Sequence, residues 1–184
     1  MNFKQLFINI CYVVKNILPV LCLSREKKIA DYLIRNALKI AAAESCTGGL
    51  ISSRLTDMSG SSAYIFQNFV TYANKAKVEL LGVEQDTINK FGVVSEEVAL
   101  QMAQGLLNRY DCTIAVATTG IAGPLGASET KPVGLICIAV ADKNMTKTYS
   151  YYANPLLYRR IMKYAFSDKA LDLLLEFLQN YYKL

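Results

Sequence analysis

Apolar and polar positions change period several times along the chain, and this predicts alternating helices and strands. Between residues 26 and 36, Ile29, Tyr32 and Leu33 recur at helical spacing, and the pattern continues to Leu38. The run from Leu38 to Ala43 is short and almost wholly apolar, which is typical of a buried strand. Further strands are predicted at Phe69–Tyr72, Thr113–Thr119, Val133–Ala141 and Thr146–Tyr152, and further helices at Gly48–Leu55, Lys75–Leu81, from Ser95 onward and at Leu156–Tyr182.

Three side chains are placed to cap helices. Thr47 and Asn74 are predicted caps for the helices that follow them, and Ser95 precedes Glu96 and Glu97, whose charges favour a helix start. The last two strands are separated only by residues 142–144, which predicts an antiparallel hairpin. Helices alternating with strands and a closing hairpin predict an α/β fold, a three-layer α/β/α domain with a mixed sheet.

Residues 1–24 read as an apolar N-terminal extension, and residues 25–184 as one domain. Lys15 splits the extension into two uncharged runs, neither of which reaches the roughly 20 apolar residues that span a bilayer. No small-x-small cleavage pattern follows the first run. We favour an accessory helix that packs on the domain or forms a dimer. A membrane-surface segment and a cleaved or non-native leader remain alternatives.

Composition removes several kinds of chemistry. The chain has no histidine, which excludes Ser-His-Asp and Cys-His machines and histidine-containing zinc sites. Its five cysteines form an odd set without a C-x-x-C pair, so neither a disulfide framework nor a zinc ribbon is indicated. We therefore expect a cytoplasmic protein with no metal and no cofactor.

The net charge of +5 is unevenly distributed. Residues 1–40 contain seven basic groups against Glu26 and Asp31, whereas residues 41–184 contain thirteen groups of each sign. The body of the chain is therefore neutral, and no basic cluster points to nucleic acid. We expect no nucleic-acid partner and no membrane partner.

Three loops contain most of the candidate chemistry: AESCTGG at 43–49, SGSSAY at 59–64 leading to FVTYANKAK at 69–77, and TTGIAGPLGASETKPVG at 118–134. The first and third follow predicted strands, where α/β sheets bind their ligands. Gly48 and Gly49 would let backbone amides approach an anion. Neither a P-loop nor a G-x-G-x-x-G fingerprint is present, so common nucleotide-binding motifs receive no support.

A lysine is the candidate base of a chain without histidine. Lys75 and Lys77 follow the predicted cap Asn74 in the first turn of a helix, and a lysine partly buried there would have its pKa lowered enough to deprotonate a serine. A solvated surface lysine is the alternative, and the pair Ser61 and Ser62 could be a simple cap. Cys46 is a competing nucleophile, although a buried, inert thiol is the favoured interpretation.

Taken in order, AESCTGG, GSSAY, FVTYANKAK, GVVS and GIAGPLGASETKPVG closely resemble the C-terminal domain family of the competence/damage-inducible protein CinA, which includes nicotinamide-nucleotide amidases. The resemblance covers about residues 26–182. It implies hydrolysis of the carboxamide of nicotinamide mononucleotide to nicotinate mononucleotide and ammonia. A small-molecule nucleotide substrate is then the expected partner, together with self-association, most simply as a dimer.

The resemblance also implies roles for particular residues. Ser62 corresponds to the nucleophile, Tyr72 and Lys77 to its proton-handling partners, and Thr119 to an active-site hydroxyl. The implied substrate-binding residues are Glu44, Ser45, Thr47, Gly48, Gly120, Ala122, Gly123 and Arg159.

The chain departs from the family pattern at three places. Ala127 replaces a glycine. The family Gly-Asp-Arg aligns with Leu157, Tyr158 and Arg159, and Lys163 replaces a second arginine. A different class of function is therefore the alternative: a ligand-binding, competence-associated regulatory domain that has lost turnover.

Overall fold

The computed structural model describes residues 3–17 and 24–184. Seven α-helices and five strands occur in these ranges. In chain order they are α1 (Phe3–Tyr12), α2 (Ser24–Arg35), β1 (Ile40–Glu44), α3 (Leu50–Thr56), β2 (Ile65–Val70), α4 (Asn74–Leu81), α5 (Gln85–Phe91), α6 (Glu96–Arg109), β3 (Ile114–Gly120), β4 (Leu135–Ala141), β5 (Thr146–Tyr152) and α7 (Arg159–Tyr181).

The five strands form one mixed sheet in the order β2-β1-β3-β4-β5. β1 pairs in parallel with β2 and β3, whereas β3–β4 and β4–β5 are antiparallel, which confirms the predicted hairpin. All five residues of β1 are buried, and four of them are Ile40 and the alanines 41–43, so helices can approach both faces closely.

Each face of the sheet has its own hydrophobic core. On one face α2, α3 and α7 contribute Ile29, Leu33, Ile51 and Phe166, among others. On the other, α4, α5 and α6 contribute residues such as Leu81, Ile88 and Met102. The predicted three-layer α/β/α architecture is therefore confirmed.

Several local predictions need correction. β2 begins at Ile65 rather than Phe69, because the polar side chains Gln67 and Asn68 conceal the strand pattern. The Asn68 carboxamide oxygen accepts the Ala42 amide at 3.0 Å, beside a register shift between Ile40 and Ala41. Helix α5 was not predicted.

The three predicted caps have different outcomes. The Ser95 hydroxyl accepts the Val98 amide at 3.3 Å and caps α6, as predicted. Asn74 is the first residue of α4 rather than its cap. The prediction for Thr47 is wrong, because Gly49 precedes α3 and a carboxylate described below binds the first amides of that helix.

The N-terminal helix packs onto the domain. The Asn9 side chain hydrogen-bonds the backbone at Leu156 and Tyr158, and the Tyr12 hydroxyl donates to Asp168 at 3.1 Å. Cys22 and most of the second apolar run lie outside the described residues. Within the described part of the chain, no helix is both long and apolar enough to cross a membrane.

Candidate active site

A pocket of about 260 Å³ opens where the carboxyl ends of β1, β2 and β3 come together. Side chains from all three strand ends and from the start of α7 surround it. The lining residues are Ser45, Cys46, Tyr72, Asn74, Lys77, Val93, Val94, Thr119, Gly120, Ile121, Ala122, Leu125, Gly126 and Arg159. The pocket thus lies at the sheet edge where parallel strands usually bind ligands.

The amine of Lys77 forms part of the pocket wall although its side chain is completely buried. Its Nζ donates to Ser45 Oγ at 3.1 Å, to the Thr71 carbonyl at 2.7 Å and to the Tyr72 carbonyl at 3.3 Å. Burial disfavours the ammonium form and lowers the pKa of Lys77 from 10.5 to about 8. A substantial neutral fraction is therefore present near physiological pH.

Ser45 is the serine that the fold brings to this amine. It follows β1 directly, where its backbone amide continues the ladder to the Thr118 carbonyl at 3.0 Å. The next turn is closed by the Gly48 amide, which donates to the Ser45 carbonyl at 3.2 Å. Backbone hydrogen bonds on both sides therefore hold Ser45 in place against Lys77.

The role predicted for Ser62 has to be corrected. This exposed serine lies in a single helical turn, Ser61–Ala63, before the first residue of β2. Lys77 follows the opposite end of β2, and six strand residues separate the two ends by about 20 Å. Ser62 therefore lies at the opposite edge of the sheet from Lys77.

Glu44, an expected substrate-binding group, has its carboxylate engaged by the start of α3. Its carboxylate accepts the backbone amides of Gly49, Ile51 and Ser52 at 2.8 to 3.1 Å, and also the Ser52 hydroxyl. It thereby binds the exposed amides at the N-terminus of α3. The amides that the sequence suggested for an anion are already occupied.

Thr47 and Gly48 also differ from their predicted roles. Thr47 is buried and its hydroxyl shares a hydrogen bond of 3.0 Å with that of Thr118. Gly48 is exposed outside the pocket lining, and the amine of Lys163 lies 3.0 Å from where a Cβ on Gly48 would stand. Neither residue faces the pocket.

The loop after β3 forms the opposite wall. Thr119 lines the pocket, and its hydroxyl donates to the Val93 carbonyl at 2.8 Å. Gly120 admits no side chain, since a Cβ there would lie 2.7 Å from the Leu135 carbonyl and 3.0 Å from Cys46 Sγ. Ala122 also lines the pocket. Gly123 is not a lining residue, and its carbonyl accepts a hydrogen bond from Arg159.

Tyr72 and Arg159 meet at the rim of the pocket. One guanidinium nitrogen of Arg159 donates to the Tyr72 hydroxyl at 2.8 Å, and the other donates to the Gly123 carbonyl at 2.6 Å. Both side chains are exposed. Two of the predicted residues thus form a polar group at the entrance, where a charged part of a ligand can reach the arginine.

The thiol of Cys46 is poorly suited to nucleophilic attack. Burial raises its pKa to about 12, so it stays protonated. This agrees with the interpretation of Cys46 as a small buried side chain.

The chain matches the model of the CinA C-terminal domain over residues 23–178. A CinA-like protein of Chloroherpeton thalassium is 48% identical over 159 residues, which are 83% of this chain and 37% of that protein. A putative competence-damage inducible protein of Caldicellulosiruptor saccharolyticus is 47% identical, over 85% of this chain and 38% of that protein. The chain thus spans little more than a third of these curated relatives.

Solved structures agree with the sequence comparisons. The competence/damage inducible protein CihA of Agrobacterium tumefaciens has a TM-score of 0.81 and 40% identity, covering 85% of this chain and 94% of that one. A CinA superfamily protein of Klebsiella pneumoniae has the same TM-score at 26% identity, covering 86% and 98%. On the family match and these relatives, the chain belongs to the CinA C-terminal domain family.

Proposed function

We propose that this protein hydrolyses the carboxamide of nicotinamide mononucleotide, giving nicotinate mononucleotide and ammonia, with Ser45 as nucleophile and Lys77 as its base. The single observation that carries the proposal is the 3.1 Å contact between Lys77 Nζ and Ser45 Oγ inside a buried pocket. The substrate follows from the family resemblance, and the catalytic pair follows from the geometry.

The surroundings of Lys77 favour its use as a base. A neutral amine has two N–H donors and one lone pair, and the carbonyls of Thr71 and Tyr72 can accept the two donors. The lone pair is then directed at Ser45, whose hydroxyl reverses its role and donates to the amine. Lys77 in this state can remove the serine proton as the oxygen attacks.

The reaction balances with this pair alone plus water. Ser45 Oγ bonds to the carboxamide carbon while Lys77 takes its proton, and the lysine then gives that proton to the departing amine, which leaves as ammonia. Water attacks the resulting ester in the same manner, releases the nicotinate carboxylate and restores Ser45. Backbone amides around the Ser45 turn and the Gly120 loop are candidates to stabilise the tetrahedral oxyanion.

The phosphate of the substrate has a separate place in this proposal. Arg159 is an exposed residue of the pocket lining, and its guanidinium can bind phosphate through two donors. Reorientation of Arg159 from the Tyr72 hydroxyl to the phosphate would leave the phenol free to contact the substrate. We expect the carboxamide to enter first and the phosphate to remain at the entrance.

The test is ammonia release from nicotinamide mononucleotide by the full chain and by two serine variants. Ser45→Ala should lower kcat by at least about a thousandfold while substrate still binds, because the residue that forms the covalent bond is gone. Ser62→Ala is the matched control and should release ammonia at the parent rate.

Two results would contradict the proposal. An active Ser45→Ala variant would exclude Ser45 as nucleophile, and loss of activity only in Ser62→Ala would restore the assignment made from the sequence. A parent protein that binds the mononucleotide by calorimetry but releases no ammonia would instead indicate a binding domain without turnover.

A further inference from the structure

Helix α7 begins without the stabilising groups that usually mark a helix start. The residue before it, Tyr158, offers no side-chain cap, and the first turn contains no acidic residue. That turn instead begins with Arg159 and Arg160, whose charges are unfavourable next to the positive end of the helix dipole. The orientation of Arg159 therefore needs support from elsewhere in the fold.

Asn9 of α1 supplies a support of this kind. Its side chain is only 2% exposed, and its carboxamide contacts two backbone groups in the segment just before α7. The oxygen accepts the Tyr158 amide at 2.7 Å, and the nitrogen donates to the Leu156 carbonyl at 3.0 Å. The same nitrogen donates to the Gln5 carbonyl at 2.6 Å, which fixes the rotamer from within α1.

An apolar groove lies beside this attachment. Tyr158 lines it together with Leu6 and Ile10 of α1 and Ile161 of α7. Asn9 is thus a buried polar group with each of its hydrogen-bonding atoms engaged, and such groups hold their partners in a single geometry.

The hydrogen bonds of Asn9 to the backbone at Leu156 and Tyr158 form a clamp, and the backbone that they hold leads directly to the pocket. Arg159 follows Tyr158, and its guanidinium reaches the Tyr72 hydroxyl and the Gly123 carbonyl at the rim. Helix α1 lies outside the range matched by the family model, which starts at residue 23. A segment beyond the family domain is therefore in contact with the backbone that presents a rim arginine.

We infer that Asn9 is a positioning residue for Arg159: by holding residues 156–158, the N-terminal helix sets the place of the guanidinium that receives the charged end of the ligand. The inference rests on the proposed function for the identity of that ligand. Its structural part, the clamp on the start of α7, does not depend on turnover.

The experiment compares Asn9→Ala and Asn9→Asp with the parent chain. Asn9→Ala should raise KM for nicotinamide mononucleotide about fivefold and change kcat less than twofold, since one positioning contact is lost and the catalytic pair is untouched. Asn9→Asp keeps the oxygen that accepts the Tyr158 amide, so it should recover part of this loss. Phe7→Ala, an exposed change on the same helix, should leave KM unchanged.

Two further measurements separate the clamp from the proposed chemistry. Hydrogen exchange of the peptide covering residues 156–162 should become faster in Asn9→Ala and stay at the parent rate in Phe7→Ala. In an Arg159→Ala background, Asn9→Ala should no longer change KM, because the two residues act through one contact.

Each outcome has a distinct meaning. Equal exchange and equal KM in Asn9→Ala and parent would overturn the inference while leaving the amidase proposal intact. A KM effect that persists without Arg159 would also overturn it. If the parent releases no ammonia, the amidase proposal fails, and the exchange measurement still decides whether Asn9 holds the start of α7. If Asn9→Ala does not fold, Asn9→Leu, which removes the same hydrogen bonds and fills the space of the side chain, provides the same comparisons.

Discussion

A lysine amine buried among carbonyl oxygens is the residue on which the proposed chemistry depends. Lys77 lies in the first turn of α4. Its positive charge is disfavoured both by the helix start and by burial. Lys75 is in the same helix but exposed, and it pairs with Glu79 at 3.5 Å across one turn. The two lysines thus form a natural comparison between a buried amine and a solvated one.

Because the pKa of Lys77 is lowered to about 8, activity should depend on pH in one direction. The neutral amine is the base, so kcat/KM should rise about tenfold per pH unit below pH 8 and level off above it. An unperturbed lysine near 10.5 would leave the rate still rising at pH 9. Ammonia release measured from pH 5 to 10 decides between them.

Lys75→Met is the control, and its profile should coincide with that of the parent chain. A profile that is flat from pH 5 to 9 would remove Lys77 from the role of base.

At this scale the sequence drew attention to the lysine of the proposed pair but not to its serine. Cations at a helix start are unusual, which drew attention to Lys75 and Lys77; the family resemblance favoured Lys77, and the structure places this residue in the pocket wall. Ser45 was only a candidate lining residue, although it directly follows a buried strand and precedes a glycine pair. The distance between Ser62 and Lys77 depends on the length of β2, and its polar residues had concealed four positions of that strand.

Among the elements, the contact between α4 and α6 sets the place of Lys77. At this crossing Gly105 of α6 faces the C-terminal end of α4, and a Cβ on Gly105 would lie 1.9 Å from the Leu81 carbonyl. Only a glycine lets the two helices approach so closely. Since α4 carries Lys77, the crossing also sets the position of the amine.

Gly105→Ala should therefore destabilise the protein, against the usual preference of a helix for alanine. Alanine would normally gain about 1 kcal/mol in a helix interior, but the forced separation of α4 and α6 should cost about 2 to 3 kcal/mol in total. Urea unfolding measures the difference. Gln104→Ala, at the exposed neighbouring position, should leave stability unchanged or slightly raised, and a stable Gly105→Ala would show that the helices can move apart freely.

Element types were largely predictable, and the reasons for the misses are physical. β3, β4 and β5 have strong periodic patterns, and the structure reproduces them to within two residues. Helix α5 has seven residues, with Thr87 and Ile88 its only buried ones, too few for a periodic signal. The cap of α3 was misassigned because the side chain that accepts its first amides belongs to Glu44, the last residue of β1. A loop separates Glu44 from the helix, and only the folded loop brings the carboxylate to the helix start.

For the whole molecule, one buried network of charges ties three helices of the first face together. Arg54 of α3 contacts Glu26 of α2 at 2.5 Å and Asp168 of α7 at 2.8 Å, and all three side chains are largely buried. The Ser167 hydroxyl also accepts from the same guanidinium. No sequence pattern indicated this network, because its members are separated by up to 142 residues along the chain (168 minus 26).

Arg54→Met should lower the free energy of unfolding by about 3 to 5 kcal/mol, because it leaves Glu26 buried without its cation and leaves Asp168 with only Arg25, at 3.1 Å. The measurement is chemical denaturation at neutral pH. Lys75→Ala, which removes an exposed ion pair, should change stability by less than about 0.5 kcal/mol. Equal effects of the two changes would mean that water reaches the network and screens it.

The carboxylate of Glu44 has a consequence for what can enter the pocket. Its oxygens already accept the first amides of α3, so the helix start that would otherwise attract an anion has no free amides to offer a second one. Under the proposed function, a mononucleotide should therefore enter with its uncharged carboxamide inward and its phosphate at Arg159. Groups attached beyond its phosphate would extend into open solvent past Arg159, so larger esters of the same mononucleotide should be tolerated where a second phosphate near the ring would not.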